Sequence, residues 1–413
     1  MEEVVITGMG CVSALGNSPE LLWQNLLQSK SGVVRVQRFD PSAFASQVAA
    51  EVLEFDDSEY FSNRDRSRYS RYIRYGVYAA MQALKNAGVN PQEEDPFRSA
   101  VIFTSGIGGV TQYYETSNAL SARGPSRVSP FFIPMTIVNM AAGEVANRTG
   151  WMGPCYSVVS ACASSNHAIA SAFDQIRLGR ADIVVTGGAD ETVIPLTVAG
   201  FSAMRAVSRR NDSPDTASRP FDIDRDGFVI GEGCGALVLE SLSHAKARGA
   251  KILARLVGCG MSADAHHISA PREDGKGVLL AMQSGLKEAG ISASDINYIN
   301  THGTSTPLGD VAECRAIEQL FGDVQKTGDR LKVNSSKSMI GHCLGAAGSL
   351  EAIVCVQSIL DQKLHGTRNV FNLDPQIHLD VCANGACDHK IDYAMSNSFG
   401  FGGQNCVLVF GRY

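Results

Sequence analysis

Short apolar runs bounded by glycine or aspartate alternate along this chain with segments of helical period. Glu3 to Gly8, Ser99 to Thr104, Ile183 to Thr186, Gly235 to Leu239, Ile252 to Val257, Ile296 to Asn300 and Asn405 to Phe410 read as strands. Pro19 to Ser29, Arg71 to Ala87, Ala168 to Leu178, Gly277 to Ala289, Val311 to Phe321 and Ala346 to Gln362 read as helices. The alternation predicts an α/β architecture.

The pattern repeats once. Gly8-Met9-Gly10 follows the first strand, and Gly258-Cys259-Gly260 follows Ile252 to Val257. Ser160-Ala161-Cys162 lies between an apolar run and a small-residue helix, and the stretch from Val333 to Gly348 has the same layout. Two similar halves follow, residues 1–250 and 251–413, with no flexible linker between them.

Composition narrows the class. A chain of 413 residues has a large core to build, and 44% of it is hydrophobic. The net charge of −6 argues against general nucleic-acid binding. The start, Met1-Glu2-Glu3, lacks the basic opening of a signal peptide, and no membrane span is expected. Eleven irregularly spaced cysteines fit reduced thiols in a cytoplasm better than a disulfide framework.

One cysteine stands out. Tyr156 to Val159 reads as a buried strand, and Cys162 follows just before a helix. Unpaired N–H groups and the dipole of a helix N-terminus favour thiolate over thiol there. Downstream, His302 and His342 each sit in a turn rich in Gly, Ser and Thr after an apolar strand, and Phe399-Gly400-Phe401-Gly402-Gly403 opens a turn before the last strand. Glycines let a backbone approach a ligand closely.

Seven ordered motifs now resemble one family. They are Ser160-Ala161-Cys162-Ala163-Ser164, Gly187-Gly188-Ala189-Asp190, Ser218-Arg219-Pro220-Phe221-Asp222, Arg225-Asp226-Gly227-Phe228-Val229, Thr301-His302-Gly303-Thr304-Ser305-Thr306, Lys337-Ser338-Met339-Ile340-Gly341-His342 and Asn397-Ser398-Phe399-Gly400-Phe401-Gly402-Gly403. They look like those of the β-ketoacyl-acyl carrier protein synthases, and most of all the type II bacterial elongation form. The resemblance implies a thiolase fold, a five-layer αβαβα sandwich, in a homodimer. It implies condensation of malonyl-acyl carrier protein with an acyl group held on Cys162, without a cofactor or metal.

The same resemblance assigns parts. The N–H groups of Cys162 and Phe401 would form the oxyanion hole, and His302 and His342 would hydrogen-bond the malonyl carbonyl. Two cationic imidazoles would repel, so at least one is expected to be neutral. Lys337 is expected on a buried strand end, ordering the Cys162 and histidine region through a network that includes Glu313, with Asp310 beside it. Ile107 and Phe401 are candidate gates of the acyl pocket, with ordinary core packing the alternative for Ile107. Phe399, Thr304, Thr306 and Gly402 are candidate substrate contacts.

Carrier proteins are acidic, and Arg64 to Arg74 holds five arginines in eleven residues. Arg64 and Arg68, joined by Arg127 and Arg205, are candidate docking residues. His167, by contrast, reads as packing within the helix after the nucleophile.

Three other signals are set aside. Asp222 to Gly227 opens like a calcium loop, but its twelfth position is Gly233. Cys382, Cys387 and His389 lack zinc-site spacing. Gly231 to Gly235 precedes a strand rather than linking a strand to a helix, so it is no dinucleotide fingerprint. A polyketide ketosynthase and a catalytically silent chain-length partner stand as alternatives.

Overall fold

The computed structural model describes residues 2–322 and 330–413. Ten strands form one sheet in the order Lys332–Asn334, Tyr298–Asn300, Tyr393–Gly400, Gln404–Gly411, Ala254–Ala263, Val4–Ser13, Gly233–Ser241, Ile183–Asp190, Ser99–Thr104 and Cys155–Tyr156. The first five come from after residue 250 and the last five from before it.

Each set of five repeats the other. Val4–Ser13 and Ala254–Ala263 each run antiparallel to a neighbour, which pairs antiparallel with Ile183–Asp190 or Tyr393–Gly400. The two outer strands of each set are parallel. A three-residue antiparallel pairing, Val4 to Ile6 against Leu256 to Ala254, joins the sets. This duplicated α/β arrangement is the thiolase-like fold.

The repeated Gly-x-Gly has a packing cause. A Cβ at Gly8 or Gly10 would lie 2.2 Å from Ala83 O or 2.1 Å from Ala79 O, in the helix Arg71–Ala87. A Cβ at Gly258 or Gly260 would lie 2.5 Å from Gly285 O or 1.9 Å from Ala281 O, in Lys276–Ala289. Both helices therefore rest on bare backbone.

Apolar side chains fill three layers. One cluster lies between the first set of strands and Arg71–Ala87, and another between the second set, Lys276–Ala289 and Pro307–Phe321. The third is central and holds Ser164–Arg177 and Ala347–Asp361. The stretch Leu344–Asp361 is long and apolar enough to cross a membrane, with mean hydropathy 1.3, yet 89% of it is buried inside the protein. Its apolarity serves the core.

Several boundaries move. The first strand runs on to Ser13, and the helix after the nucleophile starts at Ser164, so His167 lies within it. The run Tyr156 to Val159 is not a strand. Only Cys155–Tyr156 pairs, and Val159 is 47% exposed. Lys337 opens a one-turn helix, Lys337–Ile340, rather than ending a strand.

Candidate active site

Cys162 lies on a short 3-10 turn, Ala161–Ala163, directly before the helix Ser164–Arg177. Ala161 takes a left-handed φ of 49°, a cost for a residue with a Cβ, and this bend turns the thiol out of the helix line. The bend recurs in the second half, where Leu344 has φ 48° before Ala347–Asp361.

A cavity of about 610 Å³ opens over the sulfur. Ile107, Phe201 and Phe228 line it from the first half. His302, Thr304, Thr306, His342, Phe399 and Phe401 line it from the second. The cavity thus exists only where the halves meet. Ile107 packs in one apolar cluster with Cys162, Val198, Phe228 and Leu344.

The thiol is buried, and burial pushes it up to about 12. The Lys337 ammonium and the backbone N–H groups of Phe401 and of Cys162 itself pull the other way. The helix N-terminus therefore does not make a resting thiolate, as the sequence led one to expect. Desolvation outweighs it, and the sulfur rests protonated. The two N–H groups nonetheless converge on the sulfur, where a thioester oxygen would develop charge.

His302 and His342 meet edge to face, centroids 5.3 Å apart. Phe399 packs against His302 at 5.5 Å and Phe228 against His342 at 5.2 Å. Burial, then the nearby Lys337 charge, hold both rings well below the ordinary imidazole value of 6.5. Both are therefore neutral at pH 7. Their Nδ1 atoms are buried without a hydrogen-bond partner among the described residues.

Glu313, on Pro307–Phe321, accepts the N–H groups of His302 at 2.9 Å and Gly303 at 2.8 Å, and the Asn397 amide at 3.0 Å. It fixes the backbone under His302. Among the described residues, the ion-pair partner of Lys337 is not Glu313 of the expected network. That partner is Glu351, in an ion pair with side-chain exposures of 1% and 0%. Sequence reasoning missed Glu351, although it is the lone charge before Asp361 on an apolar helix.

Asp310 accepts the N–H groups of Phe221 at 3.0 Å and Ser305 at 3.1 Å, tying the histidine loop to the Arg219–Arg225 turn. Thr304 and Thr306 share a 3.0 Å hydroxyl contact on the cavity wall. Gly402 lies off the wall, and its N–H anchors the glycine turn on Ile268 O at 2.7 Å. His167 does not line the cavity, and its Nδ1 lies 2.7 Å from Ser160 Oγ.

The arginine stretch is not a free basic patch. Arg66 and Arg74 are both spent on the buried Asp57, at 2.7 and 2.8 Å. Arg68 lies over the Phe131 ring at 5.1 Å. Arg64, Arg127 and Arg205 are exposed, and Arg205 stands at the cavity.

Family models for the beta-ketoacyl synthase N-terminal and C-terminal domains match residues 1–245 and 253–371. The chain belongs to the beta-ketoacyl synthase family. The synthase is 46% identical over 410 residues to 3-oxoacyl-[acyl-carrier-protein] synthase 2 of Vibrio cholerae, with 99% of each chain covered. Among solved structures it superposes on a beta-ketoacyl synthase from Burkholderia phymatum with TM-score 0.92 and 34% identity, covering 100% of both chains. It also matches a type II polyketide-synthase ketosynthase solved with its acyl-carrier protein, at TM-score 0.91 and 32% identity, covering 100% of this chain and 99% of that one. The synthase thus shares the condensing-enzyme fold over its whole length.

Proposed function

We propose that this synthase elongates fatty acyl chains as a 3-oxoacyl-[acyl-carrier-protein] synthase of type 2. The carrying observation is the cavity in which one sulfur, two converging N–H groups and two neutral imidazoles face each other across the halves.

In the first stage the Cys162 sulfur attacks the thioester of acyl-carrier protein. A carbon–sulfur bond forms to Cys162, and the carrier thiol leaves with the proton. The N–H groups of Cys162 and Phe401 hold the developing oxyanion. In the second stage the malonyl carbon–carboxyl bond breaks, CO₂ departs, and its electron pair moves into an enolate. Neutral His302 and His342 donate to that enolate oxygen. The carbanion attacks the acyl carbonyl, the bond to Cys162 breaks, and the sulfur leaves as thiolate and regains a proton from solvent. The product is a 3-oxoacyl chain two carbons longer.

Lys337 takes no part in bond making. Its charge, paired with Glu351, adds to the burial that keeps both imidazoles neutral and eases proton loss from Cys162. Arg64, Arg68, Arg127 and Arg205 are the docking residues for the acidic carrier. We also read the synthase as a cytoplasmic homodimer. Exposed Ile133 (59%), Ile137 (39%) and Val159 (47%) support a partner surface, and the unpaired cysteines support a reducing compartment.

The 46% identity to a 3-oxoacyl-[acyl-carrier-protein] synthase 2, against 32% to the polyketide ketosynthase, favours fatty-acyl elongation. The presence of Cys162, His302 and His342 around one cavity argues against a silent partner. Intact-protein mass spectrometry with acyl-carrier protein tests the proposal. Acyl mass on wild type but not on Cys162→Ala, followed by a 3-oxoacyl product on adding malonyl-carrier protein, supports it. Wild type that stays unacylated across the chain-length series overturns it.

A further inference from the structure

The two strands that end at the catalytic seam are counterparts. Ile183–Asp190 and Tyr393–Gly400 occupy the same place in their sets of five and pair over their whole lengths with Gly233–Ser241 and Gln404–Gly411. Each ends against the helix start of the opposite half. Gly400 meets Cys162, and a Cβ there would lie 3.3 Å from the Cys162 nitrogen. Asp190 meets Gly345, the residue that follows the left-handed Leu344 as Cys162 follows Ala161.

At one end the helix start is left open for a substrate oxygen. At the other it is filled by the Asp190 carboxylate, which is fully buried. Oδ2 accepts the Gly345 N–H at 2.7 Å and the Gly106 N–H at 3.1 Å. Oδ1 accepts the Ser105 hydroxyl at 2.5 Å and the N–H groups of Gly106 at 3.1 Å and Ile107 at 3.4 Å. Ser105 Oγ in turn accepts the Gly108 N–H at 2.8 Å. The loop carrying Ile107 is thus suspended from one carboxylate, which also holds the turn after His342.

We propose that Asp190 is a positioning residue that fixes the Ile107 loop against the second half and so sets which acyl chains reach Cys162. The proposal rests on the condensing reading above. A carboxylate suits the place because every neighbour is a donor. An asparagine in its place would keep one oxygen for the Gly345 N–H and turn its NH₂ group toward Ser105 and Ile107, releasing that loop while the turn after His342 stays held.

The test is Asp190→Asn, with the wild type measured first. Wild-type failure to acylate Cys162 would overturn the condensing reading itself. With wild type active, the spread of acylation kcat/KM across a carrier-bound acyl length series should flatten roughly fivefold in the variant. Malonyl-carrier decarboxylation without an acyl group should stay within about twofold, because that half-reaction does not use the acyl pocket. An unchanged length profile in folded variant, or decarboxylation falling in step with acylation, overturns the proposal. If Asp190→Asn does not fold, Ser105→Ala removes one donor from the same carboxylate and should flatten the profile in the same direction; an unchanged profile there overturns it equally.

Discussion

Glu351 and Lys337 form an ion pair that neither shares with solvent, and the pair links the helix Ala347–Asp361 to the turn that leads to His342. Burial pushes Glu351 up to about 7, against the pull of Lys337. Removing one partner leaves a buried charge with no counterion. Glu351→Ala should therefore cost about 3–5 kcal/mol of stability in urea unfolding. Glu351→Leu combined with Lys337→Met should cost much less than the sum of the singles, because the double variant buries no charge.

The two catalytic-site histidines should not titrate in the ordinary range. Burial and the Lys337 charge lower both, so their neutral forms persist as pH falls from 8 through 6.5. Histidine ring proton shifts in NMR should stay constant for both over that span. A midpoint near 6.5 for either ring would refute this. Replacing either by alanine should slow condensation by about 10²–10³-fold, the cost of one oxyanion donor, while leaving Cys162 acylation in place. Single-turnover acylation separates the two stages.

Gly400→Ala tests the oxyanion arrangement. An added Cβ would sit 2.4 Å from Ser160 O, so the strand end must back away from Cys162. A shift of that size should slow acylation by about 10²-fold. Thermal unfolding of the same variant shows whether the loss is local to the site.

His244 provides a pH handle far from the site. Hydrogen bonds to Glu240 at 2.7 Å and Glu94 at 3.0 Å raise it to about 9. Its folded value exceeds the unfolded one, so its stabilisation is complete below pH 6.5 and fades as pH rises through about 9. The ring is partly open to solvent, and screening leaves about 1 kcal/mol. His244→Gln should lower urea stability by that amount at pH 6 and leave it nearly unchanged at pH 10. Glu240 behaves oppositely. Burial would raise it, but bonds from Arg248 and His244 prevail and lower it to about 2, so its share is present above pH 4.5 and lost only as pH falls through about 2.

Much of this was legible along the chain because it is local. Bounded apolar runs and helical-period segments mark elements within a few residues of where they lie, and Gly8-Met9-Gly10 with Gly258-Cys259-Gly260 marks the duplication because close helix packing forbids a side chain there. The strand Tyr393–Gly400 shows in the sequence only as a motif and a turn, since Asn397 and three serine or glycine positions interrupt its apolar run. Val159 looked buried because a β-branched residue in an apolar run has no local sign of which neighbour it lacks.

The chain by itself determined the duplicated α/β plan and the residue types of the site, because periodicity and chemical identity are carried by neighbours in sequence. Tertiary structure alone decided who partners whom: that Lys337 meets Glu351, that Glu313 holds the His302 backbone, that Asp57 takes two of the arginines, and that Asp190 fills the second helix start. It also decided that Cys162 rests as a thiol. Burial depends on segments hundreds of residues away, and removal from water outweighs the local dipole that the sequence reveals.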